Sequence, residues 1–309
     1  MVNALQQRYA PESGDYLKGI SQEPSSLPQA AAAIWEEIVR LGLERNIAEL
    51  EVLGYTIIPP DRAAPAGFTD ALLARIIDIA RRRHGLVIDL AGTRALDGQE
   101  SGFGFHLSYL LQEDALFQQA VLNPHVLALT DYLLGRNAVL SNCLALLKGR
   151  GETMLDLHCD NVMVSAPFPP HDLVANATWA LTDYSRENGA LCFVPGSHKE
   201  YRHPRPGESM DERVVVEAPA GSLIFWGGRV WHGALARSAP GVRVNLITAL
   251  MRPFLRPQEP YREDVDQALL DRNPPRLATL LGQDISYGWR EEGPQGGASA
   301  NVAGRHAFD

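Results

Sequence analysis

Apolar residues recur at helical spacing through Ile34, Trp35, Ile38, Val39 and Leu41, the one-sided stripe of a 3.6-residue period. Pro28, just after Ser25 and Ser26, predicts where that helix begins. Proline suits a first helical position and serine a cap. Gly54 is the expected stop, because a glycine can take the left-handed conformation that ends a helix. Tyr55 to Ile58 then reads as a short strand closed by Pro59 and Pro60. A second helix is predicted from Phe68 to His84, ended by Gly85, and a later one from Asn123-Pro124 to Leu134-Gly135.

The texture changes after residue 135. From Ala138 to Arg252 the apolar residues fall into short runs broken by turn residues: AVLSNCLALLK, TMLDLHCDN, TWALTDY, ALCFVPGS, RVVVEAP, SLIFW and RVNLITALM. Runs of this length and spacing predict a β-sandwich or barrel. Residues 263–281 return to a helical pattern. The expected organisation is a polar arm (1–25), one domain (26–287) and a Gly/Ala-rich tail (288–309). Within the domain, a helical part (26–135) covers a β core (136–255), followed by a C-terminal helix at about 263–281.

Composition narrows the classes. Net charge is -9, and the largest basic cluster is Arg81-Arg82-Arg83, so the concentrated basic surface that nucleic acid needs is missing. No apolar run approaches the roughly 20 residues of a membrane span. The three cysteines, Cys143, Cys159 and Cys192, are odd in number and far apart, which predicts reduced thiols. The first residues show no charged start followed by an apolar core. Together these predict a cytoplasmic protein, monomer or homodimer, whose partner is a small molecule.

The stretch LDLHCDN (155–161) carries the first candidate chemistry. On a strand, residues i and i+2 share a face, so His158 and Asp160 should project side by side with Asp156 beneath them, aimed at the same cavity. A polar pair on a solvated edge strand reads the same way. His232 follows the apolar run SLIFWGGRVW and precedes Gly233, which puts a third candidate at a strand end on the edge of the core. Two histidines and one carboxylate suit Fe(II) with positions left open, and match a closed four-ligand structural zinc site poorly. Arg243 lies in GVRVNLITAL, and a guanidinium in such a run needs a partner. That partner is either an internal carboxylate or a bound carboxylate gripped by the guanidinium fork.

Taken in order, these pieces resemble the phytanoyl-CoA dioxygenase family of Fe(II)- and 2-oxoglutarate-dependent oxygenases. The matching segments are LGYTIIP, the segment ending in LLG at Gly135, HCD at His158–Asp160, ENGALCFVPGSHK at Glu187–Lys199, AGSLIFW at Ala220–Trp226, and WHGA followed by Arg243. The resemblance implies a double-stranded β-helix, a cupin-like jelly-roll barrel covered by the N-terminal helices. It implies that His158, Asp160 and His232 hold iron and that Arg243 binds the distal carboxylate of 2-oxoglutarate. It also implies that Trp179 and Leu144 lie against the cosubstrate, although core packing explains either residue too. The reaction implied consumes O2, releases succinate and CO2, and hydroxylates a C–H bond of an acyl, lipid-like or natural-product skeleton. Ala234 departs from the pattern, since some members carry a hydroxyl residue two positions past the distal histidine. Asp156 is the expected substrate contact. Loops 165–176 and 199–213 are expected at the mouth. Two other readings are a jelly-roll that binds a small molecule without turnover, and a metal-dependent cupin-type isomerase or hydrolase.

Overall fold

The computed structural model describes residues 27–92, 96, 102–151, 153–283, 289–290 and 293–294. The predicted arm at 1–25 and nearly all of the tail lie outside these residues. The N-terminal helical pattern forms two helices, α1 (Leu27–Arg40) and α2 (Glu44–Leu53), where a single one was expected. The break falls at Gly42, whose φ of +65° ends α1, and Gly54 stops α2 with φ +89°. The four-residue helix Pro60–Ala63 and three longer helices follow, α3 (Phe68–His84), α4 (Ala115–Val121) and α5 (Pro124–Leu134). Asn123 caps α5, accepting from the His125 and Val126 amides, with Pro124 at the first helical position. The predicted C-terminal helix is three short ones, Tyr261–Asp264, Gln267–Asp271 and Pro275–Leu280. The chain between the last two runs through Asn273-Pro274, where the residue before a proline avoids the helical region.

Ten strands form two antiparallel sheets: β1 (Tyr55–Ile58), β2 (Phe105–Leu107), β3 (Val139–Lys148), β4 (Leu155–His158), β5 (Val174–Ala180), β6 (Leu191–Phe193), β7 (Val214–Val215), β8 (Leu223–Gly227), β9 (His232–Ala234) and β10 (Arg243–Met251). The six-stranded sheet runs β1-β8-β5-β10-β3-β2 and the four-stranded sheet β4-β9-β6-β7. This is the expected mainly β, jelly-roll architecture with flanking helices. One detail differs: among the described residues no strand of one sheet pairs with the other, so the sheets face each other without closing into a barrel.

Period-two alternation divides the large sheet. Cys143, Ala145 and Leu147 of β3, Ala177 and Trp179 of β5, and Val244 and Leu246 of β10 pack with the helices in the main core. The alternate residues of β3 and β10 line a cavity between the sheets. A second apolar cluster ties the two sheets beside that cavity, with Tyr55 stacked on Phe193 at 4.2 Å between ring centroids.

Candidate metal centre and carboxylate clamp

The small sheet brings the three sequence-predicted ligands together. His158 ends β4 and His232 opens β9, and the two are direct partners in the strand register. Their rings are 4.3 Å apart between centroids. Asp160 lies beyond the end of β4, held where its amide donates to Gly228 O at 2.8 Å. Its Oδ1 is 3.8 Å from His158 Nε2, and its Oδ2 is 3.5 Å from His232 Nε2. One ligand atom from each residue falls within 4.8 Å of the others, a separation one small cation can span.

Each histidine is prepared for that task by its backbone. Nδ1 of His158 is 2.9 Å from Asp156 O, and Nδ1 of His232 is 3.0 Å from Val230 O. A carbonyl only accepts, so in each neutral ring Nδ1 carries the proton and Nε2 keeps its lone pair. Burial pulls the His232 pKa down to about 4, which keeps that ring neutral and able to ligate. Asp160 is fixed from the opposite sheet. Asn176 Nδ2 on β5 donates to Oδ2 at 2.7 Å, and Trp226 Nε1 on β8 donates to the same oxygen at 3.2 Å. Both bonds fix the orientation of the Asp160 carboxylate. An oriented set of two imidazoles and one carboxylate, on one side of a cavity, suits a divalent metal that keeps open positions.

Arg243 opens β10 at the far end of the same cavity. It is 2% exposed. Its Nη1 donates to Gly189 O, and its guanidinium stands 5.0 Å from the Tyr184 ring centroid. Its Nε has no hydrogen-bond partner, and neither do Tyr184 Oη or Asn245 Oδ1, which belong to two other lining residues. Unpaired buried polar atoms are costly. A cluster of them around a guanidinium fits a bound carboxylate, so the residues present suit a dicarboxylate cosubstrate as well as a metal.

Leu144 lines this cavity, as expected. Trp179 does not. It sits on the opposite face of β5 in the main core, edge-on to Phe68 of α3 at 5.6 Å. The alternation that points Asn176 inward points Trp179 toward the helices. Asp156 is corrected as well: it is exposed, while Leu155 lines the cavity. The register between β4 and β9 shifts between Leu155 and His158, and a one-residue slip exchanges the faces of a strand. Asp156 therefore contributes its carbonyl to His158 and turns its carboxylate to solvent. Sequence reasoning missed Asn176, Trp226, Tyr184 and Asn245. Counting by two from Arg243 would have found Asn245.

The phytanoyl-CoA dioxygenase (PhyH) family profile matches residues 51–244. The chain belongs to the phytanoyl-CoA dioxygenase family. Dioxygenase af480 of Aspergillus fumigatus is 32% identical over 176 residues, which cover 56% of this chain and 57% of that protein. The chain thus matches less than two thirds of that relative's length. Among solved structures of similar shape is the non-haem α-ketoglutarate-dependent epimerase SnoN from nogalamycin biosynthesis. It is 25% identical with a TM-score of 0.54, covering 76% of this chain and 90% of SnoN. HygX from Streptomyces hygroscopicus, solved with nickel and 2-oxoglutarate, shares the fold at 15% identity and a TM-score of 0.55, over 69% of this chain and 88% of HygX.

Proposed function

We propose that this protein is an Fe(II)- and 2-oxoglutarate-dependent dioxygenase that hydroxylates a C–H bond of a small organic molecule. The observation that carries the reading is one cavity with His158, Asp160 and His232 converging on its wall and Arg243 at its end. When bound, iron, 2-oxoglutarate and O2 supply the oxidising chemistry, with succinate and CO2 as co-products. The protein's part is placement. His158 and His232 present Nε2, and Asp160, held by Asn176 and Trp226, presents carboxylate oxygen. Arg243 meets the distal carboxylate and fixes how far the keto-acid end reaches. Leu144, Leu146 and Ile247 line the path between and exclude water.

The other end of the cavity describes the substrate. Val162 and Met251 line it together with the amides of Asn142 and Gln258, which bond each other at 2.6 Å. Among the described lining residues only Asp160 and Arg243 carry formal charge. His106 also lines the cavity, and burial lowers its pKa. In the 199–213 loop Arg202 is held by both oxygens of Glu208 at 2.8 Å, so it is engaged away from any anion. These features support an uncharged, mainly apolar reacting skeleton over a phosphate-rich thioester. The relationship to SnoN is consistent with a natural-product skeleton. A hydrolytic centre would need a general base beside the metal, and Asp160 is the one carboxylate among the described lining residues.

The test is O2-dependent formation of succinate from 2-oxoglutarate by the purified protein, with Fe(II), Zn(II) or no metal added. Turnover with iron alone supports the reading. Absence of succinate under all three conditions would falsify it.

A further inference from the structure

Among the unpaired atoms at the Arg243 end, the Tyr184 hydroxyl is a neutral donor. Tyr184 follows β5 on a segment bridged to Ala218, its amide donating to Ala218 O at 2.8 Å and its carbonyl accepting from Ala218 N at 3.1 Å. That bridge fixes where the side chain enters. Tyr184 is 3% exposed, lines the cavity, and has no hydrogen-bond partner for its hydroxyl. The Arg243 guanidinium lies 5.0 Å from its ring centroid and is itself oriented by the Gly189 carbonyl. A buried phenol left without a partner is costly. The cost is removed if an acceptor occupies the space that Tyr184 and Arg243 both face. Burial raises the Tyr184 pKa, so the hydroxyl keeps its proton and can donate. Across the cavity Ala234 of β9 offers no hydroxyl of its own.

We propose that Tyr184 is a cosubstrate-binding residue whose hydroxyl donates to the same distal carboxylate that Arg243 grips. This rests on the reading of the cavity as a 2-oxoglutarate site. Arg243 supplies charge and fork geometry, while Tyr184 supplies a neutral donor from a different strand connection. The pair therefore selects a keto acid with a second carboxylate over one without it.

The experiment is anaerobic calorimetric titration of the Fe(II)-loaded protein with 2-oxoglutarate and, separately, with pyruvate, which lacks the distal carboxylate. Tyr184→Phe keeps the ring and its packing. The variant is expected to bind 2-oxoglutarate about 10-fold more weakly, a typical loss for one hydrogen bond to a charged group. Its Fe(II) affinity and pyruvate affinity should stay at wild-type values. Adding Ala234→Ser to Tyr184→Phe should recover part of the loss. Unchanged 2-oxoglutarate affinity, or an equal loss for both keto acids, overturns the proposal while leaving the oxygenase reading in place. A wild-type protein that binds neither keto acid takes both down.

Discussion

The two sheets build their halves of the cavity in different ways. In the large sheet, β3 and β10 pair over nine positions with one register shift, between Ala249 and Leu250. Side chains alternate cleanly there: Arg243, Asn245, Ile247, Ala249 and Met251 all face the cavity. In the small sheet, β4, β6, β7 and β9 have two to four residues each, and the β4–β9 register shifts beside the candidate metal ligands. The candidate ligands come from that irregular sheet. A long regular sheet sets the direction of a clamp at its end. A short shifted one can bring two histidines and an off-strand carboxylate to a single point, with backbone carbonyls choosing the tautomers.

Removing a ligand should have the largest effect. His232→Ala or Asp160→Ala is expected to abolish specific Fe(II) binding and turnover while the fold persists, checked by metal analysis and circular dichroism. Retained stoichiometric iron would break the assignment of the small sheet. Next comes the clamp of the large sheet. Arg243→Ala should raise the 2-oxoglutarate Kd roughly 30- to 1,000-fold, from the loss of a charge-assisted two-point contact of about 2–4 kcal/mol. Arg243→Lys should recover only part, since it keeps the charge without the fork. Wild-type affinity in the alanine variant would remove Arg243 from the site.

Asn176→Ala joins the sheets in one test, because its amide reaches across to Asp160. Fe(II) affinity should fall about 10- to 100-fold, the usual range for a group that orients a ligand. No change would mean that Asp160 is positioned without the large sheet.

A smaller effect concerns pH. Lys148 ends β3 opposite Arg243 in the register and donates to Gly102 O at 2.8 Å and Leu235 O at 2.7 Å. Burial first, then Arg243, pulls its pKa from 10.5 down to about 7. Between those two values the unfolded chain holds a proton that the folded lysine has released. The Lys148 contribution to stability therefore rises with pH across that window, and below about 7 the folded state carries the full burden of a buried ammonium. Urea unfolding of wild type and Lys148→Met should show wild type gaining on the variant from about pH 7 to 10. A difference independent of pH would contradict this. The least effect is expected from Asp156→Asn, whose iron affinity and turnover should stay within about 2-fold of wild type, as for other exposed positions. A larger change would restore Asp156 to the cavity.

The same contrast governs what was legible in the sequence. The run RVNLITALM gave the inward position of Arg243 because nothing interrupts its period. His158 and His232 were readable from their strand-end positions. Asp156 was not, because a register shift leaves no mark in composition and reverses the faces of the few residues it touches. Trp179 was misplaced for a related reason. The strand begins at Val174, within a stretch read as part of a mouth loop, so the face of its tryptophan was open. Gly42 divided a helix that hydrophobic spacing alone ran through. Tyr184 closes the run TWALTDY but lies past the end of β5, where the bridge to Ala218 fixes its side chain.

The most direct measurement of the central claim is an anaerobic titration of the protein with Fe(II) and then 2-oxoglutarate, followed by visible absorption. A charge-transfer band should appear only when both are present and saturate at one iron and one 2-oxoglutarate per chain, and Arg243→Ala should displace its midpoint to much higher 2-oxoglutarate. A protein that binds iron yet develops no such band at any 2-oxoglutarate concentration would contradict the claim that His158, Asp160, His232 and Arg243 form one site.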